Sequence, residues 1–155
     1  RRVDVNVVPG VSALQAAAAL SGAPIGHDFC AISLSDLLTP WSVIERRLEG
    51  AGAGDFVIAL YNPSSKKRQR NFDRAVEILR SHRGPQTPVV IGKQLGREQQ
   101  SIEVCTLGPL SSSDVDMLSV VLIGSSTTTT MQLGNAARVY TPRGYADKYG
   151  SAGAS

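Results

Sequence analysis

The sequence predicts an α/β fold in which a mixed β-sheet is flanked by helices. Three observations predict it. Asp55-Phe56-Val57-Ile58-Ala59-Leu60-Tyr61 is a near-continuous apolar run, the pattern of a central strand covered on both faces. Leu118-Ser119-Val120-Val121-Leu122-Ile123 is a second such run, ended by Gly124. Between the two lie a helix-period stripe and two short strand segments joined by a turn. Strands that alternate with helices, plus one hairpin, give a mixed sheet.

The elements follow in order. Val3-Asp4-Val5-Asn6-Val7 alternates like a strand, and Val8-Pro9-Gly10 breaks it. Val11 to Leu20 reads as an alanine-rich helix, with Ser12 to cap it, Gly22 for its last turn and Pro24 to forbid continuation. Phe29 to Leu34 is a short strand. Thr39-Pro40 starts the next helix, threonine as cap and proline at the first helical position. Its apolar stripe is Ile44, Leu48 and Ala51, and Gly50, Gly52 and Gly54 close it. Asn62-Pro63-Ser64-Ser65 ends the central strand. A basic helix follows, with Phe72, Ala75, Val76 and Leu79 inward and Gly84-Pro85 as its stop. Val89-Val90-Ile91 and Ile102, Val104, Thr106 form a hairpin around Gly96-Arg97-Glu98. Ser111 to Asp114 reads as a loop. Ser125 to Thr130 is a hydroxyl-rich run without apolar partners, and glycine, arginine and small residues dominate beyond Gly134.

Composition narrows the function classes. A hydrophobic fraction of 42% and a charged fraction of 19% fit a globular domain. No apolar run approaches the ~20 residues of a membrane span, so no membrane association is expected. Cys30 and Cys105 show no metal-ligand spacing, His27 and His82 add none, and no metal is expected. Two buried thiols in a reducing cytoplasm is the expected state. The chain opens Arg1-Arg2 and runs straight into the valine alternation, and the expectation is that it starts inside a longer protein.

The candidate sites are loops and charges. Ligands of open α/β sheets bind at the carboxyl ends of strands, here Asn62-Pro63, Leu95-Gly96 and Gly124-Ser125. Residues 66–83 hold seven Lys or Arg against Asp73 and Glu77, net +5 in a chain of net +3. That segment reads either as a solvated helix face or as a surface for carboxylates or phosphates. His27-Asp28 sits in a small-residue loop, where a neighbour can tune an imidazole near neutral pH. Dinucleotide, P-loop and nucleophile-elbow motifs are absent from the sequence.

Longer blocks carry a resemblance. Val8-Pro9-Gly10-Val11-Ser12-Ala13 resembles the opening of the second domain of the tetrapyrrole methylases. Gly26 to Trp41, Phe56 to Pro63 and Gly124 to Thr127 resemble the branch that methylates precorrin-3B at C-17 in cobalamin synthesis. The resemblance covers roughly residues 3 to 130. It implies the C-terminal domain of a two-domain fold, with residues 1–8 ending a missing N-terminal domain or linker, 9–130 the domain itself, and 131–155 a flexible tail.

It also implies chemistry. The cofactor would be S-adenosyl-L-methionine, touched by Ser12, Ala13, Tyr61, Asn62, Leu95, Gly96, Ser125 and Thr127. The substrate would be a precorrin, methylated with ring contraction, its carboxylates met by Arg68 and Arg70. His27 and Asp28 are the candidate pair for the proton transfers of contraction. The glycine-proline loop of the family's N-terminal domain is absent from this sequence, so the chain alone is expected to be inactive. The expected partners are that missing domain and a second copy in a homodimer, without nucleic acid, in the cytoplasm. Two other readings stay open: a non-catalytic ligand-binding or dimerisation module, and an RNA methyltransferase of the same superfamily. Aromatics are 5% of the chain and do not interleave with the basic run, which argues against base stacking.

Overall fold

The computed structural model describes residues 2–63 and 69–144. In chain order the elements are helix α1 (Ala13–Ser21), strand β1 (Gly22–Ala23), β2 (Phe29–Ser33), α2 (Trp41–Ala53), β3 (Val57–Tyr61) and α3 (Gln69–Arg80). They continue with β4 (Pro88–Lys93), β5 (Ser101–Thr106), a short 3-10 turn at Ser112–Asp114, β6 (Ser119–Ile123), β7 (Thr129–Leu133) and β8 (Ala136–Tyr140). The mixed α/β class is as the sequence predicts.

The main sheet has five strands in the order β2-β3-β6-β4-β5. β2 and β3 run parallel, while β6 is antiparallel to both β3 and β4, and β5 returns antiparallel to β4. The alternation of side chains splits the apolar strands between two cores. Ile58, Leu60, Val89, Ile91, Val121 and Ile123 meet Ile44 and Leu48 of α2 and Phe72, Val76 and Leu79 of α3. Ala59, Val90, Val120 and Leu122 face the other way, onto Leu14, Ala17 and Ala18 of α1 and Val139 of β8. Both predicted helix stripes are buried. Alanine lets α1 lie close to the sheet. A Cβ on Gly92 of β4 would stand 3.3 Å from Ala17 Cβ and 2.8 Å from Leu95 Cδ1.

A second sheet holds β1, β8 and β7 in that order. It corrects the expectation of a tail from residue 131 onward. β8 pairs in parallel with β1 through Gly22 and Ala23, and antiparallel with β7. Two features hold it down. Val139 is buried in the α1 core, and the threonines satisfy one another: Thr128 Oγ1 lies 2.8 Å from Thr141 Oγ1, which donates to the Pro24 carbonyl at 2.5 Å. Gly22 has φ +134, and a Cβ there would collide with the Val139 carbonyl. The rest of the expected tail, 145–155, lies outside the described residues.

Three local expectations shift. Residues 2–12 form no regular element, because the Val3–Val7 alternation has no neighbouring strand to pair with among the described residues. α1 therefore starts at Ala13, with Ser12 as its cap position. α2 starts at Trp41, since Pro40 is extended (φ −55°, ψ 140°) and occupies the cap position expected for Thr39. Cys30 and Cys105 are free and half-buried. Burial pushes both thiols up, Cys105 to about 11 with the charges of Glu103 and Asp114 adding to it.

Candidate functional site

Strand direction decides which loops share an end of the main sheet. β3 and β4 run the same way on either side of β6, so their carboxyl ends, Tyr61-Asn62 and Gln94-Leu95, lie at the same end of the sheet. β6 runs against them and brings its amino end there. The first turn of α1 closes the group. A cavity of about 200 Å³ opens at this point, with Ala13, Tyr61, Asn62 and Leu95 in its wall. Gln94 and Arg97 of the β4–β5 connection and Met117 to Val120 complete the lining.

The walls are held from several directions. The Leu14 backbone N–H donates to Tyr61 Oη at 2.9 Å, which ties the start of α1 to the end of β3. Gln15 Oε1 accepts from the Ser12 backbone N–H at 3.0 Å and from Ser12 Oγ at 3.1 Å. The Asn62 amide donates to Ser33 Oγ at 3.0 Å, and the Leu34 N–H to the Tyr61 carbonyl at 2.9 Å, fastening the end of β2 alongside. Asn62 (φ 53°) and Gln94 (φ 51°) both adopt the left-handed region, so each strand turns away sharply at the cavity. Asparagine tolerates that conformation better than most residues, whereas glutamine does so less readily.

Of the residues expected at the donor, the structure brings Ala13, Tyr61, Asn62 and Leu95 together, with Ser12 and Gly96 next to them in the chain. It does not bring Ser125 and Thr127. They follow β6, whose carboxyl end points the opposite way because β6 is antiparallel to β3. There Ser125 Oγ lies 3.2 Å from Thr127 Oγ1, and Ser126 binds Asp55 at the start of β3.

His27 and Asp28 also fall at that far end, because β2 is parallel to β3 and begins just after them. They are exposed, 47% and 80% at the side chain, with His27 Nδ1 3.6 Å from Asp28 Oδ2. His27→Ala is therefore expected to leave donor affinity and turnover of the complete protein within about twofold. A loss of turnover beyond tenfold at unchanged donor affinity would restore the acid–base assignment.

The basic segment divides. Arg68 lies outside the described residues, and Arg70 is exposed near the start of α3. Arg74 pairs with Glu45 at 3.1 Å and Glu77 at 3.4 Å. Arg80 donates to the carbonyls of Leu107, Gly108 and Leu110. Arg83 is buried among carbonyls. Three of these four described arginines serve the fold, so most of the described charge is not offered to a ligand. A wider groove of about 920 Å³ between α2 and α3 is lined by the paired Glu45 and Arg74 and lies away from the strand ends.

Sequence reasoning missed Gln94, Arg97 and Met117 to Val120. The apolar run 118–123 reads the same for either strand direction. Nothing in it says that its amino end, not its carboxyl end, meets Tyr61.

Among the described residues the lining includes no Asp, Glu, His or Cys. Such a wall can bind and align a reactive ligand, and its described side chains supply no carboxylate, imidazole or thiol. Leu95, Met117 and Leu118 offer an apolar surface fit for a flat heterocycle, and Tyr61 and Asn62 polar groups beside it.

A family model for tetrapyrrole (corrin/porphyrin) methylases matches residues 1–111. The chain is 47% identical over 143 residues to the probable cobalt-factor III C(17)-methyltransferase of Salmonella typhimurium, covering 92% of this chain and 58% of that protein. It is 48% identical over 147 residues to the precorrin-3B C(17)-methyltransferase of a Sinorhizobium species, covering 94% and 58%. Among solved structures, the methyltransferase CobJ superposes with a TM-score of 0.80 at 42% identity, over 90% of this chain and 56% of that one. The cobalt precorrin-4 methyltransferase CbiF shares the fold, with a TM-score of 0.58 at 22% identity over 79% of this chain and 52% of that one. The chain thus spans little more than half the length of these relatives.

Proposed function

The chain belongs to the tetrapyrrole methylase family, and from that premise we propose that it supplies one wall of a methyl-donor site in a precorrin-3B C-17-methyltransferase of cobalamin synthesis. The single observation behind this reading is the cavity that gathers Ala13, Tyr61, Asn62 and Leu95. Ala13 and Leu95 flank the space for S-adenosylmethionine, Tyr61 holds the α1 turn against it, and Asn62 directs the chain away so that the space stays open. When bound, that cofactor presents a methyl group already activated by its sulfonium. What the chain must then do is position: effective molarities from alignment are worth roughly 7–11 kcal/mol. A wall without a carboxylate, imidazole or thiol among its described residues suits that task.

The size of the cavity supports the idea of a partial site. At about 200 Å³ it falls short of the roughly 300–1,000 Å³ usual for sites that bury a ligand of this size. Exposed apolar side chains elsewhere on the chain support the same idea. Val3, Val5, Val7, Val8 and Val11 lead into α1 with 78–90% of their surface exposed. Leu37 and Leu38, past the end of β2, are 76% and 97% exposed, and Met117 is 55% exposed. Clustered exposed apolar side chains mark a surface that another body covers. The covering body in this reading is the stretch of the longer relatives that this chain does not span, and the substrate lies between the two.

Calorimetric titration with S-adenosylmethionine tests the proposal. The 155-residue chain is expected to melt cooperatively, with little upward shift on adding donor. A protein that carries the remaining stretch as well is expected to gain about 2.7 kcal/mol at a donor concentration 100 times Kd. Equal micromolar binding by both would overturn the shared-wall reading.

A further inference from the structure

Among the described residues the cavity wall carries one cation, Arg97, and hydrogen bonds shape the turn that holds it. Arg97 sits in the β4–β5 connection, within the exposed run 96–100, and lines the cavity beside Leu95. Four hydrogen bonds fix that connection around it. The Arg97 N–H donates to the Gln94 carbonyl at 3.0 Å, and the Gln100 N–H to the Arg97 carbonyl at 3.1 Å. The Gly96 N–H donates to Gln100 Oε1 at 3.1 Å, and the Gln94 amide to Gln99 Oε1 at 3.3 Å. Gly96 takes φ +75°, a conformation glycine adopts without strain, and places the next residue on the cavity side.

The chemistry of the wall says what a guanidinium at its edge can meet. Its neighbours there, Tyr61, Asn62, Leu95 and Met117, carry no negative charge. No salt bridge from Arg97 to an acid is found among the described residues. Three described arginines of the basic stretch differ: Arg74 is paired with two carboxylates, and Arg80 and Arg83 are spent on carbonyls. A planar, permanently charged fork beside a cavity with no acid among its described lining residues is suited to one anion above others, a carboxylate met by two parallel hydrogen bonds.

We propose that Arg97 is the carboxylate anchor of this cavity, a specificity-determining residue that pairs with an acid group of the bound ligand. This rests on the reading of the cavity as part of a methyl-donor site facing a tetrapyrrole. Two ligands offer that group, the amino-acid end of the donor and the carboxylate side chains of the macrocycle. In either case Arg97 fixes the ligand's rotation in the cavity, because a bidentate pair resists turning where apolar contacts do not.

The test uses the complete protein with Arg97→Gln and Arg97→Lys. Titrants are S-adenosylmethionine and its decarboxylated form, and uroporphyrin as a polycarboxylate tetrapyrrole with its octamethyl ester. The expected result is that Arg97→Gln weakens one of the two acids about tenfold or more, leaves the decarboxylated or esterified counterpart unchanged, and is partly rescued by lysine. The acid that responds identifies the source. Unchanged affinity for both acids overturns the proposal. So does a uniform loss that includes the ester, with a lower melting temperature and no rescue, which would mark Arg97 as a turn residue. If the unaltered protein binds no S-adenosylmethionine, the donor-site reading fails on its own account, and the uroporphyrin pair alone decides Arg97.

Discussion

Replacing Arg83 by methionine is expected to destabilise the fold by about 3 kcal/mol, the lower end of what removing one partner of a buried ion pair costs. The Arg83 side chain is only 3% exposed. It stands where four pieces of chain meet. Its Nη1 donates to the carbonyls of Gly52 at 2.9 Å and His82 at 3.0 Å, its Nε to Gly124 at 3.3 Å and its Nη2 to Phe56 at 3.3 Å. Nη2 also lies 3.2 Å from Asp55 Oδ1. One guanidinium thus joins the end of α2, the start of β3, the end of α3 and the end of β6. Methionine keeps the bulk but no donor, so buried carbonyls lose their partner. Asp55, 44% exposed at the side chain, recovers some hydration, which is why the lower figure applies. Scanning calorimetry should show the midpoint falling by roughly 6–12 °C, at about 2–4 °C per kcal/mol for a chain of this size. A fall under two degrees would mean that water replaces the guanidinium.

The same cluster sets an acid limit. Burial pushes the Asp55 carboxyl up, but the Ser126 hydroxyl and backbone N–H, with the charges of Arg83 and His27, more than offset it. The net effect holds Asp55 below its ordinary value of 3.8. A carboxyl depressed in the folded state contributes stability above its unfolded value, and that contribution is lost as pH falls through the folded value. The loss therefore falls in the acid range, at and below 3.8. Asp55→Asn is expected to be less stable than the parent at neutral pH, and the gap between the two should close on acidification through that range.

How far the sequence could be read follows from what each signal encodes. Helix faces were legible because burial leaves a period: Ile44, Leu48 and Ala51, and Phe72, Ala75, Val76 and Leu79, are all buried as predicted. Strand ends were legible at Tyr61-Asn62 and at Leu95-Gly96, where a turn-forming residue follows an apolar run. Strand direction was not, since an apolar run carries no arrow. Ser125, Thr127, His27 and Asp28 were expected at the site, and the order β2-β3-β6-β4-β5 puts them at the other end. The residues 129–140 escaped for a different reason. Their hairpin has an exposed strand, β7, and its hold on the domain comes mainly from buried Val139 and a threonine hydroxyl network. A hydroxyl-rich run with one buried apolar residue looks like a loop until its partners are known. Arg97 was read as part of a turn, because only the fold shows what a turn residue faces.

The largest functional effect is expected at Ala13. It is the first residue of α1 and lies on the cavity wall. Its backbone is set by Gln15, which holds Ser12, and by Tyr61, which accepts from the Leu14 N–H, so neither contact uses the Ala13 side chain. Ala13→Phe therefore leaves the helix start tied while a ring enters a space of only about 200 Å³. Interiors of this kind cannot hold two occupants, because packing near a formed wall leaves no room for a second ring. In the complete protein, affinity for S-adenosylmethionine is expected to fall on the order of 100-fold, equivalent to about 2.8 kcal/mol. The melting temperature without ligand should stay within about 2 °C, as a side chain only partly buried at a helix start changes stability little. Ala13→Ser, which adds only a hydroxyl, should bind donor nearly as the parent does. The pair of variants separates blocking from unfolding. Parent-like donor affinity in Ala13→Phe would show that the donor does not enter this cavity, and would remove the observation on which the methyl-donor reading rests. A collapse of the melting temperature would instead show that the ring had turned inward against Leu95 and the α1 core, leaving Tyr61→Phe, which deletes the Leu14 contact without adding bulk, as the cleaner probe of the same wall.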